Sequence, residues 1–287
     1  MLLKHPLQKT MVWGLCVVFI ASALTIAVYP FGQKWMKGRL ELTVLDVGQG
    51  GRKNSVNRWR RSVRRLSRAR RAQWRRPREE AVSPYLWSRG FQKLDVVALT
   101  HAHQDHLGGL AAILDNFRVS KLWIGREVSS LALARLEELA RQRKIPIEHA
   151  LRGKSFSLDG VDGDFLWPQT APGEIATSAK NNDSLVLRLH YGRLNILLPG
   201  DAEKQVEREI LSENSAEELH SDVLKIGHHG SKNSTTPEFL ATVQPLVGII
   251  SAGEDNPYGH PSPELLERLE NAGVRVLRTD RDGAVHV

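Results

Sequence analysis

The sequence predicts an α/β layered domain behind a single membrane-spanning helix, on three observations. Residues 11–29 form an uncharged apolar run. From residue 40 onward, β-rich and amphipathic helical segments alternate. Histidines and aspartates collect where apolar strands end, which is where sites lie in folds of this class. The division is an N-terminal segment, residues 1–38, and a domain, residues 39–287.

The apolar run reads MVWGLCVVFIASALTIAVY, nineteen residues without a charge. At about 1.5 Å per residue it reaches roughly the 30 Å of a hydrocarbon core. Trp13 and Tyr29 stand near its ends, where amphipathic rings favour the interface. Lys4 and Lys9 precede it and Lys34, Lys37 and Arg39 follow, a balance that leaves orientation open. Ala21-Ser22-Ala23 also has the form of a signal-peptide cleavage site, but apolar character continues to Val28, which favours an uncleaved anchor. Cys16, the one cysteine, lies inside this run, so neither an internal disulfide nor a cysteine metal site can form.

The net charge of +8 is local. Thirteen basic residues and no acidic one fall between Gly51 and Arg78, and without them 27 basic residues face 32 acidic ones. Three readings of residues 51–78 compete. Arg-rich low complexity with Trp and Ser is what a GC-rich gene yields between two compensating frameshifts. A basic arm with Trp59 and Trp74 interleaved would contact phosphates and stack bases. A solvated insertion is the third.

In the domain, residues 40–47 (LELTVLDV) read as a strand ending at Gly48-Gln49-Gly50. Residues 83–89 read as a short helix opened by Ser-Pro, and residues 94–99 as a buried strand. A helix over 110–117, a strand over 121–124 and an amphipathic helix over 129–143 follow. Residues 184–198 read as a hairpin turning at Tyr191-Gly192, and a helix over 203–211 comes next. Strands over 223–226 and 247–251, a helix over 263–271 and a last hairpin around Arg281-Asp282-Gly283 complete the pattern.

The strongest chemical signal is Thr100-His101-Ala102-His103-Gln104-Asp105-His106, four potential ligands within six residues directly after an apolar strand. Imidazole and carboxylate suit zinc, manganese or iron, and one ion cannot use all four at this spacing without strain. Two adjacent ions can share them, His101 and His103 serving one while Asp105 and His106 face the other. A lone aspartate here would read as a helix cap; three histidines beside it do not. Asp201 is delivered to a strand end by Leu197-Leu198-Pro199-Gly200-Asp201.

HAHQDH matches the HxHxDH signature, and the domain resembles the metallo-β-lactamase superfamily. The resemblance implies an αβ/βα four-layer sandwich and two divalent metal ions, Zn2+ or Mn2+. It makes Asp201 the carboxylate bridging both ions and Asp46 a residue that orients ligands, with Asp105 and Asp201 expected to be the catalytic carboxylates. Members of the superfamily carry a further metal histidine before the bridging aspartate, where this chain has Asn181-Asn182-Asp183-Ser184. His228 is expected to compensate on the first ion and His260 to serve the second, with His229 as the substitute for either. Only one of His228 and His229 is expected to ligate.

LDVGQG, HAHQDHLGGL, NNDSLVLRL, LLPGD, LKIGHHGSKNS, YGHP and RTDRDGAV together look like the C-terminal domain of ComEC-type competence proteins. That resemblance implies cleavage of one DNA strand during DNA uptake, with single-stranded DNA as partner. It places the domain outside the cytoplasmic membrane, held by the single-pass helix. Lys225, Ser231, Lys232, Asn233 and Ser234, with Asn182 and Ser184, would supply donors to flanking phosphates. Family members carry channel helices upstream, so the chain is expected to be a fragment, a split form or a partner of the channel part. A phosphorylcholine esterase-like hydrolase and a non-catalytic DNA-binding module are the alternatives; departures at Asn181–Ser184 and at the HHGS loop point away from a β-lactamase.

Overall fold

The computed structural model describes residues 39–45, 47, 79–170, 174–254 and 256–287. The expected anchor at 11–29, Asp46 and the basic stretch at 51–78 lie outside these residues. Among the described residues no helix is long and apolar enough to cross a membrane.

The strands are β1 (Thr43–Val44), β2 (Lys93–Leu94), β3 (Val97–Leu99), β4 (Arg118–Val119), β5 (Leu122–Ile124), β6 (Ile147–His149) and β7 (Ser155–Leu158). They continue with β8 (Val161–Trp167), β9 (Val186–Tyr191), β10 (Leu194–Leu198), β11 (Val223–Lys225), β12 (Val247–Ile250), β13 (Arg275–Arg278) and β14 (Val285–His286). The helices are α1 (Glu79–Ser88), α2 (Gln104–Leu107), α3 (Leu110–Asn116), α4 (Leu131–Gln142), α5 (Lys204–Glu213), α6 (Ala216–Leu219), α7 (Pro237–Val243), α8 (Pro263–Asn271) and α9 (Thr279–Asp282).

Seven strands form one sheet in the order β13-β12-β11-β10-β9-β8-β7; β3-β5-β6, β1-β14 and β2-β4 form smaller ones. Four apolar clusters then define the layers. Leu114, Phe117, Leu133 and Leu136 pack α3 and α4 against Leu99, Leu122 and Ile124 of the three-stranded sheet. Trp123 and Phe165, with Phe156, fill the space between that sheet and the β7–β9 half of the large one. Val285 and Val44 cover Ile196, Val223 and Ile249 on the other half. Val206, Ile210, Phe239, Leu265 and Leu269 cover the outer face with α5, α7 and α8. The result is helices, sheet, sheet, helices, each apolar face buried against the next.

Tertiary packing moved several elements from their sequence-predicted bounds. The 94–99 strand is two short strands in different sheets, because Leu94 pairs with Val119 while Val97 pairs with Leu122. α1 begins at Glu79, not at the Ser-Pro pair, since Val82 packs on the core before Pro84 is reached. In the predicted hairpin Tyr191 pairs with Leu194, which puts the turn at Gly192-Arg193. The last hairpin does not form: Thr279 Oγ1 donates to Ala252 O at 2.8 Å and accepts its N–H at 3.0 Å, redirecting the chain. β13 therefore extends the large sheet in parallel with β12, while β14 crosses to β1.

α5 also anchors the loop that carries the later histidines. Glu207, 1% exposed, accepts the N–H of Thr235 at 2.5 Å and of Thr236 at 2.9 Å. Burial pushes its carboxyl pKa up, against those same hydrogen bonds. Arg268 Nη1 holds the same segment through Ser234 O at 3.1 Å and Thr235 O at 2.7 Å. Glu207→Gln keeps the volume but has one acceptor oxygen for two amides. We expect a loss of about 1–3 kcal/mol, read as a melting temperature lowered by several degrees. An unchanged melt would mean that Arg268 alone holds the loop.

Candidate metal centre

β3 is buried at both ends and stops at Leu99, so the residues from Thr100 onward emerge at the edge of the inner layer. His101 is 4% exposed, with Nδ1 3.2 Å from Ser184 Oγ and Nε2 2.9 Å from His103 Nδ1. His103 Nε2 donates to the Ala179 carbonyl at 3.1 Å; a carbonyl only accepts, so the Nδ1 lone pair is left facing His101. Burial, and then the charge of His106, push the His101 pKa down to about 3, which keeps the ring neutral.

α2 begins one residue later and carries Asp105 and His106, whose ring lies 4.1 Å from that of His101. His106 Nδ1 lies 2.8 Å from Thr100 Oγ1 and its Nε2 3.0 Å from Asp201 Oδ2. Burial lowers its pKa, against the raising effect of Asp201 and Asp105.

Asp201 follows β10 through Gly200, whose φ of +59° suits glycine. A Cβ at Gly200 would also lie 2.9 Å from Ser184 Cβ, and Ser184 Oγ accepts the Asp201 N–H at 2.9 Å. Asp201 is 2% exposed. Burial by itself would raise its carboxyl pKa; hydrogen bonding from His106, the facing His229 ring and the charge of Lys225 hold it far below the carboxylate range. Lys225 Nζ sits 3.6 Å from Asp201 Oδ1 and donates to Gly200 O at 2.9 Å.

The turn Gly227–Gly230 places His228 and His229 at φ +43° and +55°, both left-handed. Successive rings therefore diverge. His229 Nδ1 donates to the Ser251 carbonyl at 2.7 Å, leaving Nε2 toward Asp201 Oδ2 at 3.3 Å and Asp105 Oδ2 at 3.7 Å. Burial lowers the His229 pKa, and Asp105 and Asp201 outweigh it, for a net rise. His228 turns to Glu203, with Nδ1 2.9 Å from Oε1, and to Asn181 Nδ2 at 3.3 Å.

Asp105, His106, Asp201 and His229 thus each present a ligand atom, all within 4.8 Å of one another. A metal ion fits this set. His229 Nε2 and Asp201 Oδ1 are buried without a hydrogen-bond partner, as ligand atoms awaiting a cation would be. Two imidazoles and two carboxylates suit zinc, manganese or iron. The facing nitrogens of His101 and His103 are the remaining donors on the same edge.

Neither His228 nor His260, the expected ligands, belongs to this cluster of four; His229, the expected substitute, does. The left-handed φ values at the turn send the His228 and His229 rings apart, and the His260 ring lies 5.6 Å from that of His228 and 6.1 Å from that of Tyr258. Ser231 and Ser234 do not face outward as phosphate donors. Ser234 Oγ donates to Gly227 O at 2.8 Å and Ser231 Oγ accepts the Asn233 N–H at 3.3 Å, so both shape the loop. Ser184 positions His101 and Asp201, and Asn182 Oδ1 accepts the Glu203 N–H at 3.0 Å. Lys232 and Asn233 are exposed on the loop. Glu203 and Asn181, which embrace His228, had no sequence signal beyond their nearness to Asp201 and Asn182.

A layered α/β fold that gathers imidazoles and carboxylates at its strand ends is built to hold metal ions. The metallo-β-lactamase superfamily model matches residues 65–254, more than half of the chain, and the chain belongs to that superfamily. It is similar to ComE operon protein 3 of Bacillus subtilis (strain 168), 38% identical over 208 residues, 72% of this chain and 26% of that protein. It is similar to competence protein ComA of Neisseria gonorrhoeae, 30% identical over 207 residues, 72% of this chain and 27% of that protein. The chain spans about a quarter of the length of these curated relatives. Among solved structures it matches a metallo hydrolase from Ignicoccus hospitalis at 18% identity and TM-score 0.45, over 67% of this chain and 79% of that one.

Proposed function

We propose that this chain is a metal-dependent phosphodiesterase that cleaves single-stranded DNA during DNA uptake. The observation that carries the reading is the cluster of Asp105, His106, Asp201 and His229, in which the buried His229 Nε2 and Asp201 Oδ1 make no hydrogen bond. Similarity to relatives named for competence supports the DNA substrate. Asp105, His106, Asp201 and His229 would hold one divalent ion, and His101, His103 and Asp201 a second, zinc or manganese. Bound there, such ions supply Lewis acidity and neutralise charge building on phosphoryl oxygens.

The chain's own residues set the stage for that chemistry. Carbonyls of Ala179 and Ser251 fix the tautomers of His103 and His229. Lys225 balances Asp201, and Lys232, exposed on the loop, would meet flanking phosphates. The apolar run at 11–29 would anchor the domain in the cytoplasmic membrane on its outer side, beside the channel part of an uptake system.

The test uses the full chain in detergent, loaded with Mn2+ or Zn2+, and labelled single-stranded DNA. Cleavage that disappears with EDTA and in Asp105→Ala is the expected result. A folded, metal-loaded chain that leaves DNA intact would exclude the nuclease and redirect the search to other phosphodiesters.

A further inference from the structure

Tyr258 is 65% exposed, and its ring lies 21° from parallel to that of His260 with centroids 6.1 Å apart. Beneath it, His260 meets the His228 ring edge-on at 5.6 Å, and His228 lies 6.2 Å from His229. His229 belongs to the ligand cluster, so three ring-to-ring steps lead from solvent to the metal centre. The loop is closed by its own hydrogen bonds. Asn256 Nδ2 donates to Gly253 O at 2.9 Å and His260 O at 2.6 Å, while its Oδ1 accepts the His260 N–H at 3.0 Å. It is also keyed to the turn presenting His229. Ser262 N–H donates to Gly230 O at 2.9 Å, and a Cβ at Gly230 would lie 2.6 Å from Pro261 Cβ.

We propose that Tyr258, backed by His260, is a stacking platform for a nucleobase of a single-stranded polynucleotide next to the scissile phosphate. This rests on the phosphodiesterase reading and deepens it. A lone exposed aromatic is ordinary. Here the ring is oriented in advance by a closed loop, so a docking base stacks without first ordering the protein. Stacking needs a base with an uncovered face, which a single strand offers and a duplex, whose bases cover one another, does not. The metal cluster meets phosphates that look alike in both, so the platform is what discriminates.

The test is fluorescence anisotropy with the full zinc-loaded chain, comparing labelled oligo-dT with a strand of equal length made of abasic residues. The two carry the same phosphate charge, so their affinity ratio isolates the bases. Wild type is expected to favour oligo-dT by about tenfold, within the roughly 5–150-fold that one stacked base supplies. Tyr258→Ala should bring the ratio close to that of unstacked bases, and Tyr258→Phe should keep it. Equal ratios in wild type and Tyr258→Ala would overturn the platform. Cleavage is followed in the same samples. Discrimination without cleavage would support the platform and remove the phosphodiesterase, whereas cleavage without discrimination would remove the platform alone.

Discussion

Asp201→Asn is expected to leave the chain folded and to reduce hydrolysis at least about a thousandfold. The side chain keeps its shape, and the Asp201 backbone bond to Ser184 Oγ at 2.9 Å is unaffected. What goes is the charge that faces His106 Nε2 at 3.0 Å, His229 Nε2 at 3.3 Å and Lys225 Nζ at 3.6 Å. Metal-based stabilisation of a transition state is worth several kcal/mol, and about 1.4 kcal/mol is a factor of ten in rate. Bound metal per chain should fall with the rate when both are measured at equal free Zn2+. Circular dichroism reports whether the fold survives. A folded variant retaining a tenth of wild-type activity would show that Asp201 is not the shared ligand.

The second large effect separates neighbours. His229→Ala should weaken metal binding by more than about a hundredfold, because even outer partners of metal ligands are worth 10–100-fold. His228→Ala should change it far less. The turn that sets this contrast holds two non-glycine residues at positive φ, an arrangement that costs free energy and persists where its surroundings over-determine it. Those surroundings are visible: the Ser251 carbonyl grips His229, and Glu203 with Asn181 grips His228. Competition for Zn2+ against a chromophoric chelator measures both variants. A reversed order would return the ligand role to His228.

Much of the centre is legible in the sequence, for a local reason. His101, His103, Asp105 and His106 follow one apolar strand within six residues, so a strand end followed by a helix start keeps all four at one edge of the fold. Asp201 is legible because LLPGD puts a carboxylate at the end of a β-rich run. The β7–β8 hairpin is not. Asp162, Gly163 and Asp164 interrupt its alternation, and it forms because Phe156 and Phe165 pack on Trp123, at centroid distances of 4.6 and 5.1 Å. The final hairpin is suggested by the sequence yet absent from the fold, because a turn signal says nothing about which sheet the departing strand will join.

The sequence by itself determined the α/β class and the residue types gathered at strand ends, which follow from apolar periodicity and short spacing, and its resemblance to the HxHxDH signature pointed to the superfamily. Only the tertiary structure decided which histidine of the His228-His229 pair faces the carboxylates, and that His260 lies under Tyr258 rather than in the cluster. The physical reason is that spacing along the chain is encoded locally. The handedness of a turn and the convergence of side chains from β3, β10, β11 and β12 are set by packing between layers that lie far apart in sequence.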